Sequence, residues 1–442
     1  MATSIDTAPG NFRDVFAVRE FRALWLAEFL SLIGDQLTRI ALSVVVFSRT
    51  DSAALTGLTY ALTYIPTVIG ALTLSKVADR RPRRSVIVTV DSVRALVVAA
   101  LVLPSIPLPW LCVLVAIMSF LGGPHKAVHL ALLRDVLSGE QYAVGTAVRH
   151  VTVQMASLTG LAVGGLLLAV VSPGECFTID AASFAASALL VRGVVRLRPA
   201  AAATGDSRSI ITGLKVVWSE PRRQALFLTT TLGLFLMAPA SLAAPFVAQV
   251  GHGPAMVALV LASGGVGSII GVPLFTRLVP AARRSVAFPI SCLAAGVPLI
   301  LVPAHGGIYV ALGLFAVSEA IWSIQVVMAV SFLAELLPDS HRAQGMGLAG
   351  SMNATAQGLG AGLAGLVAQA TGPPVGIGLA GAASVLAALV PSWLWMRSMR
   401  GRTDPTARDV PEGEPQTSSA APTVVTAAEG VRQTLATQWS VD

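Results

Sequence analysis

The sequence predicts an all-α polytopic membrane protein, with twelve transmembrane helices arranged as two related six-helix bundles. Three observations carry this. The 442 residues are 54% hydrophobic and only 12% charged, with a mean hydropathy of +0.74. Apolar runs of about 20 residues recur along the chain, the length a helix needs to cross a ~30 Å hydrocarbon layer. The cations gather in alternate connections, the distribution that orients a multi-pass chain in its membrane.

Residues 1–22 contain Asp6, Arg13, Asp14, Arg19, Glu20 and Arg22 without an apolar core. They therefore read as a cytoplasmic segment and not as a cleaved signal peptide. The first bundle, 23–195, is expected to hold spans at 23–47, 54–76, 85–104, 108–133, 145–171 and 175–195. A polar linker follows at 196–223, with Arg196, Arg198, Arg208, Lys215, Arg222 and Arg223. The second bundle, 224–398, is expected to hold spans at 224–249, 254–280, 285–303, 306–334, 343–371 and 374–397. The tail, 399–442, is rich in Pro, Ser, Thr and acids and cannot bury enough apolar surface to order itself, so it reads as a disordered cytoplasmic extension.

One set of connections ("SRTDSAA", "LPSIPLP", "VSPGE", "QVGHGP", "PAHGG", "TGPPV") is short, rich in Gly and Pro, and carries Arg49 as its one cation. The other set holds Arg80, Arg81, Arg83 and Arg84, then Arg134, the linker, Arg283 and Arg284, Arg342, and Arg397, Arg400 and Arg402. Because Lys and Arg stay on the cytoplasmic side during insertion, both termini are expected in the cytoplasm of a cell-membrane protein. The same asymmetry accounts for the net charge of +7, which needs no nucleic acid partner. The tetrapeptide "RRSV" occurs at 83–86 and again at 283–286, each time between the second and third spans of its half. Parallel repeats with substrate bound between them near the midplane are a standard transporter design.

Cys112, Cys176 and Cys292 are few and widely spaced and read as small core residues. No phosphate-binding loop and no H-E-x-x-H helix occurs, so neither ATP hydrolysis nor zinc chemistry has a motif here. No cofactor is expected, and the chain does not read as an enzyme.

The stretch "SKVADRRPRRSVI", 75–87, resembles the inter-span signature of the major facilitator superfamily. It keeps Ala78, Asp79, Arg80, Arg83, Arg84 and Ile87, with Ser75 and Pro82 at the usual glycine positions. "FRALWLAEFLSLIGDQLTRIALSVVVF", "DSVRAL", "ALLRDVLSGEQYAVGTA" and "IDAASFAASALLV" are similar to its macrolide-efflux and enterobactin-exporter-like branch. The resemblance implies a cytoplasmic gate in which Asp79 and Arg83 latch against the other half, with Arg80 and Arg84 in the same motif. It also implies that spans 1, 4, 7 and 10 line the central cavity.

Charges inside a membrane are expensive and tend to face a bundle interior or a wet cavity. Asp35 and Arg39, four apart in span 1, share a face; Asp35 is either a proton or cation site or a static partner of Arg39. Glu319, near the centre of span 10, has no basic residue three or four positions away, so it is either a proton-coupling carboxylate or a structural acid. Lys126 and His129 in span 4, with Arg39, Trp322 and Gln325, are candidate cavity residues. So basic a cavity suggests an acidic or oxygen-rich group on the substrate. Asp91 and Arg94 read as a pair near the cytoplasmic surface, Asp180 as interfacial, and Glu28 as reaching the cytoplasmic interface. "GLAVGG", with Gly160, Gly164 and Gly165, reads as a close-packing stripe and resembles an antiporter motif that has Pro where Leu161 stands.

Together these readings predict a monomeric secondary exporter of an amphipathic organic compound, coupled to protons and embedded in lipid. A lysophospholipid flippase or an importer on the same fold is the alternative within that class. A non-transporting membrane receptor or scaffold is the alternative from another class.

Overall fold

In lipid a backbone must satisfy its own hydrogen bonds, which a helix does internally. The computed structural model describes residues 12–400 apart from 104, 138, 169, 200–214, 216, 254 and 305–306, and among these residues every regular element is helical. After a short surface helix, Phe12–Ala17, the chain runs through twelve helical segments in sequence order. Span 1 is Arg19–Thr50, span 2 Ala53–Ala61 with Ile65–Asp79, and span 3 Arg83–Leu101. Span 4 is Leu108–Val136, span 5 Gly139–Leu168 and span 6 Pro173–Val194.

Span 7 is a series of short helices, Pro221–Thr229, Gly233–Leu236, Ala238–Ser241 and Ala243–Gln249, with a tighter turn at Thr230–Leu232. Span 8 is Ala255–Leu278, span 9 Ala281–Ala294 with Val297–Ile300, and span 10 Ile308–Leu336. Span 11 is Asp339–Thr371 and span 12 Pro373–Arg400. Among the described residues, nine helices are long and apolar enough to cross a membrane. Spans 3, 5 and 11 are not among them. Span 3 carries Arg83, Arg84, Asp91 and Arg94, and span 11 is built largely of Gly, Ala, Ser and Gln.

Local chemistry sets the ends and the breaks. Span 6 opens with a capping box in which Ser172 and Glu175 satisfy each other's backbone N–H. Span 1 ends at Asp51 in the left-handed region (φ 48°). Spans 2, 7 and 9, expected as continuous helices, are interrupted. A proline cannot bond the carbonyl four residues back, and the gaps at Leu62–Tyr64, Met237, Leu242 and Ala295–Gly296 fall just before Pro66, Pro239, Pro245 and Pro298. In span 7, Thr229, Thr230 and Thr231 also bond their own preceding turn, at 2.7, 2.6 and 2.7 Å. The prolines at 124, 273, 289 and 391 sit within helices that continue through them.

The packing is two-fold. Span 1 packs on span 5 as span 7 does on span 11, and span 2 packs on span 4 as span 8 does on span 10. Exchanging the halves also interchanges the two contacts that join them, span 2 on span 11 and span 5 on span 8. Glycine makes the first of these joints possible. A Cβ on Gly57 would lie 2.4 Å from the Ala361 carbonyl oxygen and 2.8 Å from Gly365 Cα. At the same end, Gln369 of span 11 accepts hydrogen bonds from Ser52 Oγ (3.1 Å) and the Ala54 N–H (3.3 Å) at the start of span 2. Spans 2 and 11 are therefore in close contact at the end of the molecule opposite the 80–84 cations.

Because both obstacles at Gly57 are backbone, Gly57→Leu should separate spans 2 and 11 at a cost of about 1–3 kcal/mol. The same substitution at Gly313, where a Cβ meets nothing within 4 Å, should leave thermal stability in detergent unchanged.

Candidate functional site

The centre of span 1 carries the first part of the site. Asp35 Oδ1 accepts a hydrogen bond from Arg94 Nη2 of span 3 at 2.6 Å. The Arg94 guanidinium lies 4.0 Å over the Phe184 ring of span 6. The static pairing of Asp35 with Arg39, one of its two readings, is not formed. Arg39 instead sits 4.5 Å over the Tyr64 ring of span 2, and donates long hydrogen bonds of 3.4 Å to Gln36 Oε1 and Tyr64 Oη. A cation over an aromatic face keeps much of its electrostatic compensation after losing water, which leaves Asp35 for Arg94.

Three further expectations need correction. Asp91 and Arg94 do not pair near the surface. Asp91 is fully buried, accepts from Ser187 Oγ at 2.5 Å and has His125 Nε2 at 3.0 Å. Asp180 is not interfacial: it is 0% exposed and accepts from Thr38 Oγ1 at 2.5 Å and Ser183 Oγ at 3.3 Å. Gly34 makes room for it, since a Cβ there would come within 2.1 Å of Asp180 Oδ1. Glu28 is enclosed in the bundle, where it meets Arg149 Nη2 and His129 Nδ1. Helices of a membrane bundle can hide acids this deeply because a hydroxyl, imidazole or guanidinium from another span meets each one.

On span 4, Lys126 and His129 point in different directions. Lys126 is exposed, within electrostatic range of Arg39, Asp35, Arg94 and Glu28. Among the described residues its ammonium has no hydrogen-bond or ion-pair partner. His129 is 2% exposed and lies inside the first bundle.

In the second half, 224–276, 285–334 and 343–396 contain a single Asp, Glu, Lys or Arg, which is Glu319. Glu319 borders a cavity of ≈ 30 Å³ lined by Leu236, Pro239, Val260, Gly264, Phe315 and other span 7, 8 and 10 residues. That is room for a water molecule or two. Among the described residues its carboxyl has no ion pair or hydrogen bond. Tyr60 of span 2 lies within electrostatic range of both Arg39 and Glu319. Tyr64 Oη also reaches Met237 Sδ of span 7 at 3.9 Å.

Trp322 and Gln325 are buried in the second bundle. Trp322 lies against Gly233, and Gln325 Nε2 donates to the Thr229 carbonyl at 3.3 Å. In the 75–87 stretch, Arg83 bonds Asp135 Oδ1 (2.5 Å) and the Ala131 carbonyl (3.1 Å), both on span 4 of its own half. Arg84 bonds the Arg192 carbonyl, and Arg80 is exposed. The Asp79 side chain and the surroundings of Gly164 and Gly165 lie outside the described residues. Gly160 is a close-packing position, since a Cβ there would lie 2.7 Å from Gln36 Cγ on span 1.

The sequence reading missed Tyr60 and Tyr64, although two of the chain's four tyrosines stand four residues apart in one span, the spacing of a shared face. It also assigned Arg94 to the wrong acid, because i,i+3 spacing records proximity along one helix and says nothing of neighbouring helices.

The Major Facilitator Superfamily model matches residues 24–319 and 226–439. No curated protein sequence matches the chain significantly. Among solved structures, the chain is similar to a bacterial homologue of the human lysosomal transporter Spinster in an inward-facing, occupied conformation. That match has 14% identity and a TM-score of 0.66 over 89% of this chain and 98% of that one. A POT family transporter in complex with 5-aminolevulinic acid matches at 14% identity and a TM-score of 0.66, over 86% and 96% of the two chains. The nucleoside transporter NupG matches at 16% identity and a TM-score of 0.62, over 85% and 99%. These likenesses describe the fold.

Removing one member of a buried ion pair strands the other. Arg94→Leu and Asp35→Asn should each destabilise the protein by about 3–5 kcal/mol. The double variant should be less destabilised than the sum of the two, as measured by thermal unfolding of the purified protein in detergent.

Proposed function

The chain belongs to the major facilitator superfamily, and from that premise we propose that it is a proton-coupled exporter of an amphipathic organic compound, such as a drug, antibiotic, siderophore or other natural product. Membership makes it a multi-pass membrane transporter of small molecules and not an enzyme. Export, antiport, a monomeric state and cytoplasmic termini in the cell membrane are our reading, as is the division into 23–195 and 224–398 about the 196–223 linker, with the 399–442 tail assigned no role.

The observation that supports the reading best is Glu319, the one formal charge of the second bundle's interior, set beside a small apolar cavity without a counter-ion. A buried carboxyl without a cation is readily neutralised by a proton. Protonated and ionised Glu319 would favour different arrangements of spans 7, 8 and 10, so a proton gradient can bias a two-state rocking equilibrium. On the first half, Asp35 is held by Arg94, while Lys126 and Arg39 supply positive charge at the same level. That pattern suits a substrate with an anionic or oxygen-rich group. Asp35 stays a second candidate for coupling, since its side chain keeps 15% of its surface exposed. The 83–84 arginines are engaged within their own half while spans 2 and 11 are in contact at the opposite end, as expected of a gate whose cross-half latch forms only in the other facing state.

The test is flux in proteoliposomes. Substrate movement should collapse when the pH gradient is dissipated, and Glu319→Gln should lower gradient-driven flux by more than about tenfold while leaving substrate binding measurable. Full proton-coupled transport in Glu319→Gln would remove that residue from the mechanism. Gradient-independent movement would point to a flippase or uniporter, and binding without flux to a receptor.

A further inference from the structure

A second set of titratable groups, inside the first bundle, plays no part in the exporter reading. His129 Nε2 lies 3.2 Å from the Leu24 carbonyl oxygen. A carbonyl only accepts, so this nitrogen carries a hydrogen. The other ring nitrogen, Nδ1, lies 3.4 Å from Glu28 Oε2, which is also an acceptor when ionised. A neutral imidazole has one N–H. With that hydrogen on Nε2, the Nδ1 lone pair faces a carboxylate oxygen, and Nδ1 is a buried atom without a hydrogen-bond partner. Burying two acceptors against each other is unfavourable, and a proton on Nδ1 would turn the contact into a charge-assisted hydrogen bond.

Burial of the ring, the Arg149 cation and the neighbouring His125 oppose that proton. Glu28 Oε1 is already held by Arg149 Nη2 of span 5, so the unprotonated group of three is neutral and the protonated one carries a net +1. The titratable and charged groups facing the ring are Glu28 from span 1, His125 from span 4, at 5.9 Å between ring centroids, and Arg149 from span 5. Spans 3 and 6 contribute apolar Ile87 and Val191 to the cluster that encloses this end of the bundle, together with Leu24, Val128 and Leu132. The side chain of His150 lies outside the described residues. Hydrogen bonding favours the second proton and burial of net charge opposes it, which is the balance a reversible site requires.

We propose that His129 and Glu28 form a proton-binding site enclosed in the first bundle, separate from the central site and near the 80–84 cations. One proton enters and forms the Nδ1–H bond, and the site gains one positive charge. If the antiport reading above holds, this site takes part in coupling; the site itself does not depend on that reading.

The test is direct observation of the ring. In the full-length protein labelled with ¹⁵N-histidine and held in lipid nanodiscs, one of the six histidines should change between an Nε2–H tautomer and a doubly protonated ring between about pH 8 and pH 5. That signal should vanish in His129→Gln. In Glu28→Gln the new amide can donate to Nδ1, so the ring should keep a single N–H across the range; this variant also assigns the signal if His129→Gln does not fold. A ring that keeps one protonation state throughout in the wild-type protein would overturn the proposal, as would a titration unchanged by Glu28→Gln. Proton-coupled flux together with a non-titrating His129 would remove this site alone. A titrating His129 in a protein without coupled flux would remove the antiport reading and leave the site standing.

Discussion

A charge inside a bilayer must be paired, hydrogen-bonded or wet, and this constraint organises the molecule. The first bundle meets it by pairing. Asp35 takes Arg94, Glu28 takes Arg149, Asp91 takes Ser187 and His125, and Asp180 takes Thr38 and Ser183. Except for Asp180 with Ser183, which share span 6, these pairings tie different spans together, so the polar groups also fix how helices 1, 3, 4, 5 and 6 sit against one another. Replacing such networks with apolar side chains need not weaken a protein. Removing one partner alone leaves a stranded charge, which makes the network act as a unit.

The second bundle follows the same helix pairing with almost no internal charge. Its two-fold relation to the first is carried by shape. Glycines let span 8 approach span 10 as they let span 2 approach span 4, through Gly267 against Ala316 and Gly123 against Thr67. The asymmetry between the halves is therefore chemical and not architectural. A rigid, pair-rich half works against a half whose interior carries one carboxyl and whose span 7 is interrupted by prolines and threonines. In the proton-coupled function proposed above, gradient energy enters most simply where protonation changes the charge of a group that has no partner to compensate it.

Much of this was legible in the sequence, and the parts that were not share a cause. The helical, membrane-spanning character of the chain followed from hydropathy and the placement of Arg, because lipid thickness and insertion act on one segment at a time. Glu319 stood out for the same reason: its isolation is a property of sequence alone. The partners of Asp35 and Asp91 were not legible because each lies on a different span, and spacing within one helix cannot report on its neighbours. The depth of Glu28 and Asp180 was misjudged because position along a hydropathy profile was taken as position in the membrane, whereas Gly34 and Arg149 had prepared buried places for them. The breaks in spans 2, 7 and 9 were readable in hindsight from Pro66, Pro239, Pro245 and Pro298, but Pro124 and Pro273 show that proline alone does not decide the matter.

The central claim is that the unpaired ammonium of Lys126 faces a water-accessible space shared with Asp35 and Arg39. Its most direct test is the reactivity of Lys126→Cys in a protein whose Cys112, Cys176 and Cys292 have been replaced by Ala. The account predicts rapid modification by a charged, membrane-impermeant thiol reagent, slowed by bound substrate. Modification only by an apolar reagent dissolved in the bilayer would place residue 126 against lipid and contradict it.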